Sequence, residues 1–216
     1  MMSRLLSVLV TMLILLPATA TLAEWPPMFW EETTTATMTL PAGSLPVLYN
    51  RPDGSGSMFS QARVTGGGVV DATITLNLNV HGTPIVGVPA TDIWLEVTQG
   101  SPNTFVACAG GTIADGPTGP DGITVWRRPL RAGGWTADKT LVTVWGIPLA
   151  SNTGLLLRHN SADINGDGTV TLVDVPLFVA DFMSGQHPLR SDLQYDGYVN
   201  LSDMPRLMSA FGSDCP

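Results

Sequence analysis

The chain has 216 residues, a formal net charge of -8 and only 13% charged residues, and it contains 23 glycines and 17 prolines. The acidic excess disfavours nucleic acid and anionic membrane surfaces as partners, because both repel a negatively charged protein. The many glycines and prolines favour short strands joined by turns over long surface helices.

Residues 1–23 have the pattern of a secretory signal peptide. One arginine precedes an apolar run that breaks at Pro17 and is followed by small residues suited to cleavage. A transmembrane helix needs roughly 20 apolar residues, so a membrane anchor is the less favoured alternative. We expect a secreted protein, extracellular or at the cell surface, with no membrane span in the mature chain.

Residues 24–158 are predicted to form one β domain. Within residues 70–80, four apolar residues alternate with polar ones, as in a half-buried strand: Ile74, Leu76, Leu78 and Val80 against Thr73, Thr75, Asn77 and Asn79. Similar runs occur at 92–97, 122–128 and 140–147, between turn signals rich in Gly, Pro, Asn and Asp. Several short strands with this spacing predict a mainly β fold, a β-sandwich.

Two segments of this region carry a family resemblance: GTPIVGVPATDIWLEV at 82–97 and GGTIADGPTGPDGITVW at 110–126. They resemble bacterial immunoglobulin-like repeats of the invasin type, over about residues 69 to 147. The likeness rests mainly on turn chemistry. It implies an immunoglobulin-like β-sandwich with an adhesive or spacer role, and no catalysis.

The β domain has no local catalytic motif. Asp92 and Glu96 share a strand face, but four residues at about 3.3 Å each separate them by ~13 Å, beyond the ~5 to 9.5 Å of hydrolytic carboxylate pairs. We therefore expect that the protein is not an enzyme. The alternative is a carbohydrate-binding module in which exposed indoles stack on sugar rings, with packing in the core as their competing role. The candidate indoles are Trp94, Trp126 and Trp145.

The two cysteines, Cys108 and Cys215, fall in different predicted domains. Export permits a disulfide between them, and two free thiols are the alternative. A bond would close a loop of about 107 residues and would contribute up to ~4 to 5 kcal/mol in the chain-entropy model.

The sequence changes character after Arg158, where we place the start of a second domain, residues 159–216. The segment DINGDGTVTLVD, residues 163–174, matches a twelve-residue calcium loop, which supplies oxygens from positions 1, 3, 5, 7, 9 and 12. Gly168 at position 6 permits the sharp turn. The predicted ligands are Asp163, Asn165, Asp167, the carbonyl of Thr169, Thr171 and Asp174.

The pattern returns 29 residues later in DLQYDGYVNLSD, residues 192–203. The segments that follow the loops, DVPLFVADF at 174–182 and DMPRLMSAF at 203–211, also align, which indicates an internal repeat. Each loop is predicted to lead into a short helix with one apolar stripe. The two stripes are expected to pack on each other, with Val175, Phe178 and Phe182 on one helix and Met204, Leu207 and Phe211 on the other. The second set of predicted ligands is Asp192, Gln194, Asp196, the carbonyl of Tyr198, Asn200 and Asp203.

Two such loops in tandem, each with Asp at position 12 and followed by one helix, resemble a type I dockerin domain over residues 163 to 213. The resemblance implies a small all-α pair of EF-hand-type loops that holds two structural Ca²⁺ ions. It also implies docking to a cohesin module within an extracellular assembly that degrades polysaccharide.

In that family a Ser-Thr pair at loop positions 10 and 11 and basic residues late in the helix often carry partner recognition. Here positions 10 and 11 hold Leu172, Val173, Leu201 and Ser202, and the matching late-helix residues, 179–180 and 208–209, include neither Lys nor Arg. An apolar docking face at Leu172, Val173 and Leu201 is one expectation, and a buried structural role for all three is the alternative. A surface protein whose calcium repeat is only a stable terminal cap is the remaining alternative. In either case the loop carboxylates repel one another without the ion, so calcium binding and folding should be coupled.

Overall fold

The computed structural model describes residues 34–98, 100, 103–149, 154–186 and 188–216, so the predicted signal peptide lies outside the described residues. In these ranges no helix combines the length and apolarity that a membrane span requires. The chain is mainly β, with several small sheets and few helices.

The strands are short. They are β1 Thr35–Met38, β2 Val47–Asn50, β3 Ala62–Arg63, β4 Val69–Val70, β5 Ile74–Asn77, β6 Asn79–Val80, β7 Thr83–Pro84, β8 Ile93–Val97, β9 Val106–Ala107, β10 Ile123–Trp126, β11 Ala132–Gly133, β12 Thr140–Val144, β13 Ile147–Pro148 and β14 Arg158–Ser161. The α-helices are α1 Asp174–Ser184, α2 Pro188–Ser191 and α3 Met204–Ser209.

Antiparallel pairing dominates the sheets. Strand β5 lies between β1 and β10, β12 lies between β8 and β13, and β14, β2, β3 and β4 follow one another in a third sheet. Two further pairs join β9 to β11 and β6 to β7. The pairs β12/β13, β6/β7 and β3/β4 are joined by short connections, with which the glycine- and proline-rich composition is consistent, whereas β1/β5, β5/β10, β8/β12 and β2/β14 join distant parts of the chain.

Alternation within the strands builds the larger of two cores. In β5 the buried side chains are Ile74 and Leu76, as the sequence predicts, and the core continues through the predicted Leu78. In β8, Ile93, Leu95 and Val97 are buried, whereas Trp94 and Glu96 point to the other side. The period of two predicted from the sequence is therefore confirmed for these two strands.

The indoles do not all face solvent. Trp126 is fully buried in the larger core, and its Nε1 donates to the carbonyl of Thr112 at 3.0 Å. Trp145 is half-buried and packs against the same core. The idea that Trp126 stacks on sugars is therefore wrong, because β10 turns its large apolar ring inward.

Strand β2 lies between the two cores. Its Leu48 belongs to the larger core, and the next residue, Tyr49, belongs to a smaller core with Ile164, Phe178 and Leu207. Consecutive strand residues point to opposite faces, so one short strand can contribute to both. The helical C-terminal part therefore packs directly on a sheet of the β part.

Strand β14 crosses the predicted domain boundary. Its residues 158–161 pair in parallel with residues 47–50 of β2, with Arg158 opposite Val47. The boundary predicted at residues 158/159 therefore falls inside a strand that completes a sheet of the N-terminal part. The loop of residues 163–174 begins only two residues after this strand ends.

The predicted helix stripes are partly wrong. Phe178 and Leu207 are buried as expected, but Phe182 is 40% exposed. The cause is that α1 turns Asp181 inward, where its carboxylate accepts hydrogen bonds from Arg190 and Ser191. Helix α1 thus contacts α2 through an ion pair whose Asp181 carboxylate is buried.

Candidate metal centre

The first loop, residues 163–174, wraps its backbone around the buried carboxylates of Asp163 and Asp174, at loop positions 1 and 12. The Asp163 carboxylate accepts from three consecutive amides, at 2.9 Å from Gly166, 3.2 Å from Asp167 and 2.9 Å from Gly168. The Asp174 carboxylate accepts at 2.8 Å from Ile164, 3.2 Å from Asn165 and 2.9 Å from Thr171. These bonds fix the path of the loop.

The second loop, residues 192–203, has the same arrangement at the equivalent loop positions. The buried Asp192 carboxylate accepts from the amides of Asp196 at 3.0 Å and Gly197 at 2.7 Å. The buried Asp203 carboxylate accepts from the amides of Gln194 at 2.9 Å and Asn200 at 3.0 Å. The repeat seen in the sequence is therefore also a repeat of hydrogen-bond geometry.

Left-handed backbone conformations recur at matching positions. Gly168 and Gly197, both at position 6, have φ of 89° and 101°. At position 4, Gly166 has φ of 74° and Tyr195 has φ of 56°. A left-handed tyrosine is uncommon, since a bulky side chain disfavours this region. The loop geometry therefore holds Tyr195 in a conformation that its side chain does not favour.

Burial disfavours ionisation of three loop carboxylates, those of Asp163, Asp192 and Asp203. It raises the pKa of Asp163 from 3.8 to about 6, and the negative charges of Asp174 and Asp167 add to the rise. It likewise raises the pKa of Asp192 to about 6, with contributions from Asp203 and Asp196. The pKa of Asp203 is also raised, chiefly by burial. Each loop thus contains at least one carboxylate whose charged form is disfavoured by burial.

In the described part of the chain, basic side chains offset this charge only in part, since Arg206 interacts electrostatically with Asp192 and Asp203 of the second loop. The ion pairs found there join Arg51 to Asp53 and Arg190 to Asp181, so they do not reach the carboxylates at positions 1 and 12. The remaining loop donors are oxygens of side chains and carbonyls, which hard cations prefer. The donor chemistry therefore fits calcium.

The other predicted ligands are only partly brought to these carboxylates. Asp167 accepts from the amide and hydroxyl of Thr169 and from Nδ2 of Asn165, which lower its pKa. Gln194 donates through Nε2 to the carbonyl of Ser202. Among the residues that the structure describes, no group of three or more His, Cys, Asp or Glu side chains is arranged as a metal site. The carboxylates at positions 1 and 12 lie inside each loop. The carboxylate at position 5 of the first loop, Asp167, instead accepts hydrogen bonds from neighbouring residues at the edge of the loop.

Glycines of the β part allow the first loop to approach closely. A β-carbon on Gly133 would collide with the Asp163 carboxylate, and one on Gly134 or Gly166 would collide with the carbonyl of Thr104. In addition, the amide of Gly134 donates to the carbonyl of Asp163 at 2.7 Å. Sequence reasoning missed this contact, although the adjacent glycines at 133 and 134 were a visible signal of close backbone approach.

A disulfide fixes the same region. Cys108 and Cys215 are bonded, which links the β part to the end of the C-terminal part. The amide of Cys215 donates to the carbonyl of Gly168 at 2.9 Å, and Asp214 forms a β-bridge with Thr169. The disulfide therefore holds a strip of backbone against the first loop.

Apolar side chains at loop positions 10 and 11 are exposed. Leu172, Val173 and Leu201 are 77%, 60% and 72% exposed, so the competing expectation of a buried structural role does not apply to them. Ser202 differs, since it is half-buried and its hydroxyl donates to Asp196. Further exposed apolar residues of this part are Val179, Phe182, Met183, Tyr198 and Met208. A concentration of this kind is typical of a contact surface.

The carboxylates considered for catalysis are engaged by tryptophans. Asp92 accepts from Nε1 of Trp145 at 3.3 Å, and Glu96 accepts from Nε1 of Trp94 at 2.7 Å. They lie at opposite ends of β8 and do not form a pair with each other.

Comparisons of the chain with family models, with curated proteins and with solved structures find no match in any of the three.

Proposed function

We propose that this is a secreted, non-catalytic association protein in which an immunoglobulin-like β-sandwich carries a dockerin-like pair of calcium loops. The observation that carries the proposal is the repeated cradle of amides around the carboxylates at positions 1 and 12. Calcium would supply the positive charge that these buried groups lack. The residues that would hold the two ions are the six predicted ligands of each loop, with Asp163, Asp174, Asp192 and Asp203 as the buried anchors.

The partner would be a cohesin-like module that contacts the exposed apolar residues at the start of each helix. Leu172, Val173 and Leu201 stand where polar recognition residues occur in dockerins. Burial of apolar surface contributes about 25 cal/mol per Å² removed from water, and it is insensitive to screening by salt. We therefore expect binding that persists at high ionic strength.

Calorimetric titration of Ca²⁺ into the chelator-treated protein tests the metal sites. We expect two binding events and a rise in melting temperature, because an ion that binds only the folded state stabilises it. Asp163→Asn should weaken one event and Asp192→Asn the other. Asp121→Asn, at an exposed turn of the β part, is the matched control. Absence of saturable binding would refute the calcium assignment.

Binding to recombinant type I cohesin modules tests the partner. A double variant, Leu172→Asp with Leu201→Asp, should lose partner binding while both calcium events remain. If every module fails to bind a calcium-loaded protein, the association reading is wrong.

A second candidate function is that of a spacer or surface protein whose calcium repeat is a terminal cap. The close contact between Gly133 and Asp163 and the Cys108–Cys215 bond favour this role, since both fasten the first loop to the β part. Two calcium events without partner binding would be its expected signature.

A further inference from the structure

A cavity of about 270 Å³ opens beside β8, on the strand face that does not enter the core. Its aromatic and charged side chains are Trp94 and Glu96 of β8 and Phe105 of the segment before β9, and its remaining lining residues are Leu95, Val97, Ala107 and Thr112. We refer to it as the Trp94 groove. It lies in the β part and uses neither the loops nor the exposed apolar residues discussed above.

The groove combines aromatic and hydrogen-bonding surfaces. Strand alternation places Trp94 and Glu96 on one face, and the indole Nε1 donates to the carboxylate at 2.7 Å. Glu96 is exposed and Trp94 is half-buried, so solvent reaches both from the groove. The result is an apolar ring beside an acceptor-rich carboxylate, which offers two different surfaces to one ligand.

The Phe105 ring of the groove is held in place by residues outside it. The ring of Phe105 packs on the buried imidazole of His159, with ring centroids 4.9 Å apart. The amide of Phe105 also donates to Oδ1 of Asn103 at 2.8 Å. A ring that is already positioned loses little conformational entropy when a ligand binds against it.

The chemistry of the groove excludes several ligand classes. Among the residues that the structure describes, neither Lys nor Arg lines it, and Glu96 would repel phosphates, nucleotides and acidic sugars. Addition of a peptide strand to β8 is blocked as well. One edge of β8 pairs with β12, and on the other the amide of Leu95 already donates to the carbonyl of Thr112.

We infer that the Trp94 groove binds a pyranose ring of a neutral polysaccharide. A pyranose presents C–H groups on one face, which suit the indole, and hydroxyls at its rim, which suit Glu96 because they donate to a carboxylate. The volume accommodates a ring-sized ligand, not a whole chain, so neighbouring sugars would extend into solvent. This inference does not depend on calcium or on a protein partner.

Calorimetric titration of the full protein with neutral hexasaccharides tests the inference, using cellohexaose, xylohexaose, mannohexaose and N-acetylchitohexaose. We expect one of them to bind at a single site. Trp94→Ala should weaken binding at least tenfold, and Glu96→Gln, which keeps the size of the side chain and removes its charge, should weaken it severalfold. If no sugar gives saturable binding at millimolar concentration, the inference is overturned.

Matched variants separate this site from others. Leu172→Asp should leave sugar affinity unchanged, because that residue lies in the C-terminal part. If circular dichroism shows that Trp94→Ala does not fold, Trp94→Phe, which keeps an aromatic ring, replaces it in the test. We expect Trp94→Phe to weaken sugar binding, but by less than the loss of the ring. Saturable binding that is unchanged in the folded Trp94 and Glu96 variants would place the sugar elsewhere and overturn the inference.

Discussion

Replacing both Cys108 and Cys215 with alanine should destabilise the protein and weaken calcium binding unequally. The disulfide joins residues separated by 107 positions. In the chain-entropy model a loop of this length contributes up to about 5 kcal/mol, and measured effects are typically about 2 to 4 kcal/mol. For a chain of this size each kcal/mol changes the melting temperature by roughly 2 to 4 °C, so we expect a decrease of about 5 to 15 °C.

The unequal effect on the calcium affinities of the two loops follows from the position of Cys215 in the structure. Cys215 bonds through its amide to Gly168, and Asp214 pairs with Thr169, so both contacts are made to the first loop. Release of the C-terminal strip should therefore lower calcium affinity at the first loop more than at the second.

Thermal melts of the variant and the wild type, with and without calcium, measure the first effect. Calorimetric titration of the two calcium sites measures the second, with Asp163→Asn used to assign the first-loop event. An unchanged melting temperature would contradict the stability argument. An equal loss of affinity at both loops would contradict the local coupling.

Three further outcomes are expected. Because the folded-state pKa of Asp163 and Asp192 is raised to about 6, the calcium-free folded state binds more protons than the unfolded chain between about pH 4 and 6. Its melting temperature should therefore rise on acidification from pH 7 to 5, whereas the calcium affinity measured by calorimetry should fall. Gly133→Ala should cost about 1 to 3 kcal/mol in urea unfolding, because its β-carbon meets the Asp163 carboxylate; the control Gly116→Ala, whose β-carbon meets nothing within 4 Å, should be nearly neutral. Arg51→Ala should cost about 1 to 3 kcal/mol in the same assay, because its guanidinium donates to the last turn of α3 through the Ser209 carbonyl at 2.9 Å.

Local patterns predicted the strands and the loops well. Alternation identified β5 and β8, because one face of each strand is buried and the other is not. Gly168 at position 6 predicted a sharp turn, and the backbone is left-handed at this residue, because the turn depends on features within twelve residues of sequence. Such signals depend on near neighbours and can be seen without the fold.

Strand β14 could not be predicted in this way. Its sequence RHNS contains no apolar residue, yet three of its four side chains are buried. Two of them form hydrogen bonds with distant residues: Nδ1 of His159 pairs with Nδ2 of Asn50 at 3.0 Å, and Nδ2 of Asn160 donates to the carbonyl of Asp192 at 2.8 Å. A strand buried through polar contacts gives no hydrophobic signal, so the domain boundary was placed across it.

The exposed side chains of the C-terminal part were also only partly predictable. The i, i+3, i+7 pattern placed Phe182 in a core, but a pattern of apolar residues does not show how many neighbours a helix has. The inward position of Asp181 depends on Arg190, which the sequence alone does not assign as its partner.

The parallel pairing of β14 with β2 has a consequence for the order in which the chain can fold. Strand β2 is synthesised early in translation. Its partner β14 lies about 110 residues further along the chain, so the pair is a contact of high sequence separation. Until β14 is synthesised, one edge of β2 has unpaired amides and carbonyls, and such an edge can recruit strands from other nascent chains. Any factor that shields a growing chain from aggregation would therefore have to act on this edge until the polar strand RHNS has emerged.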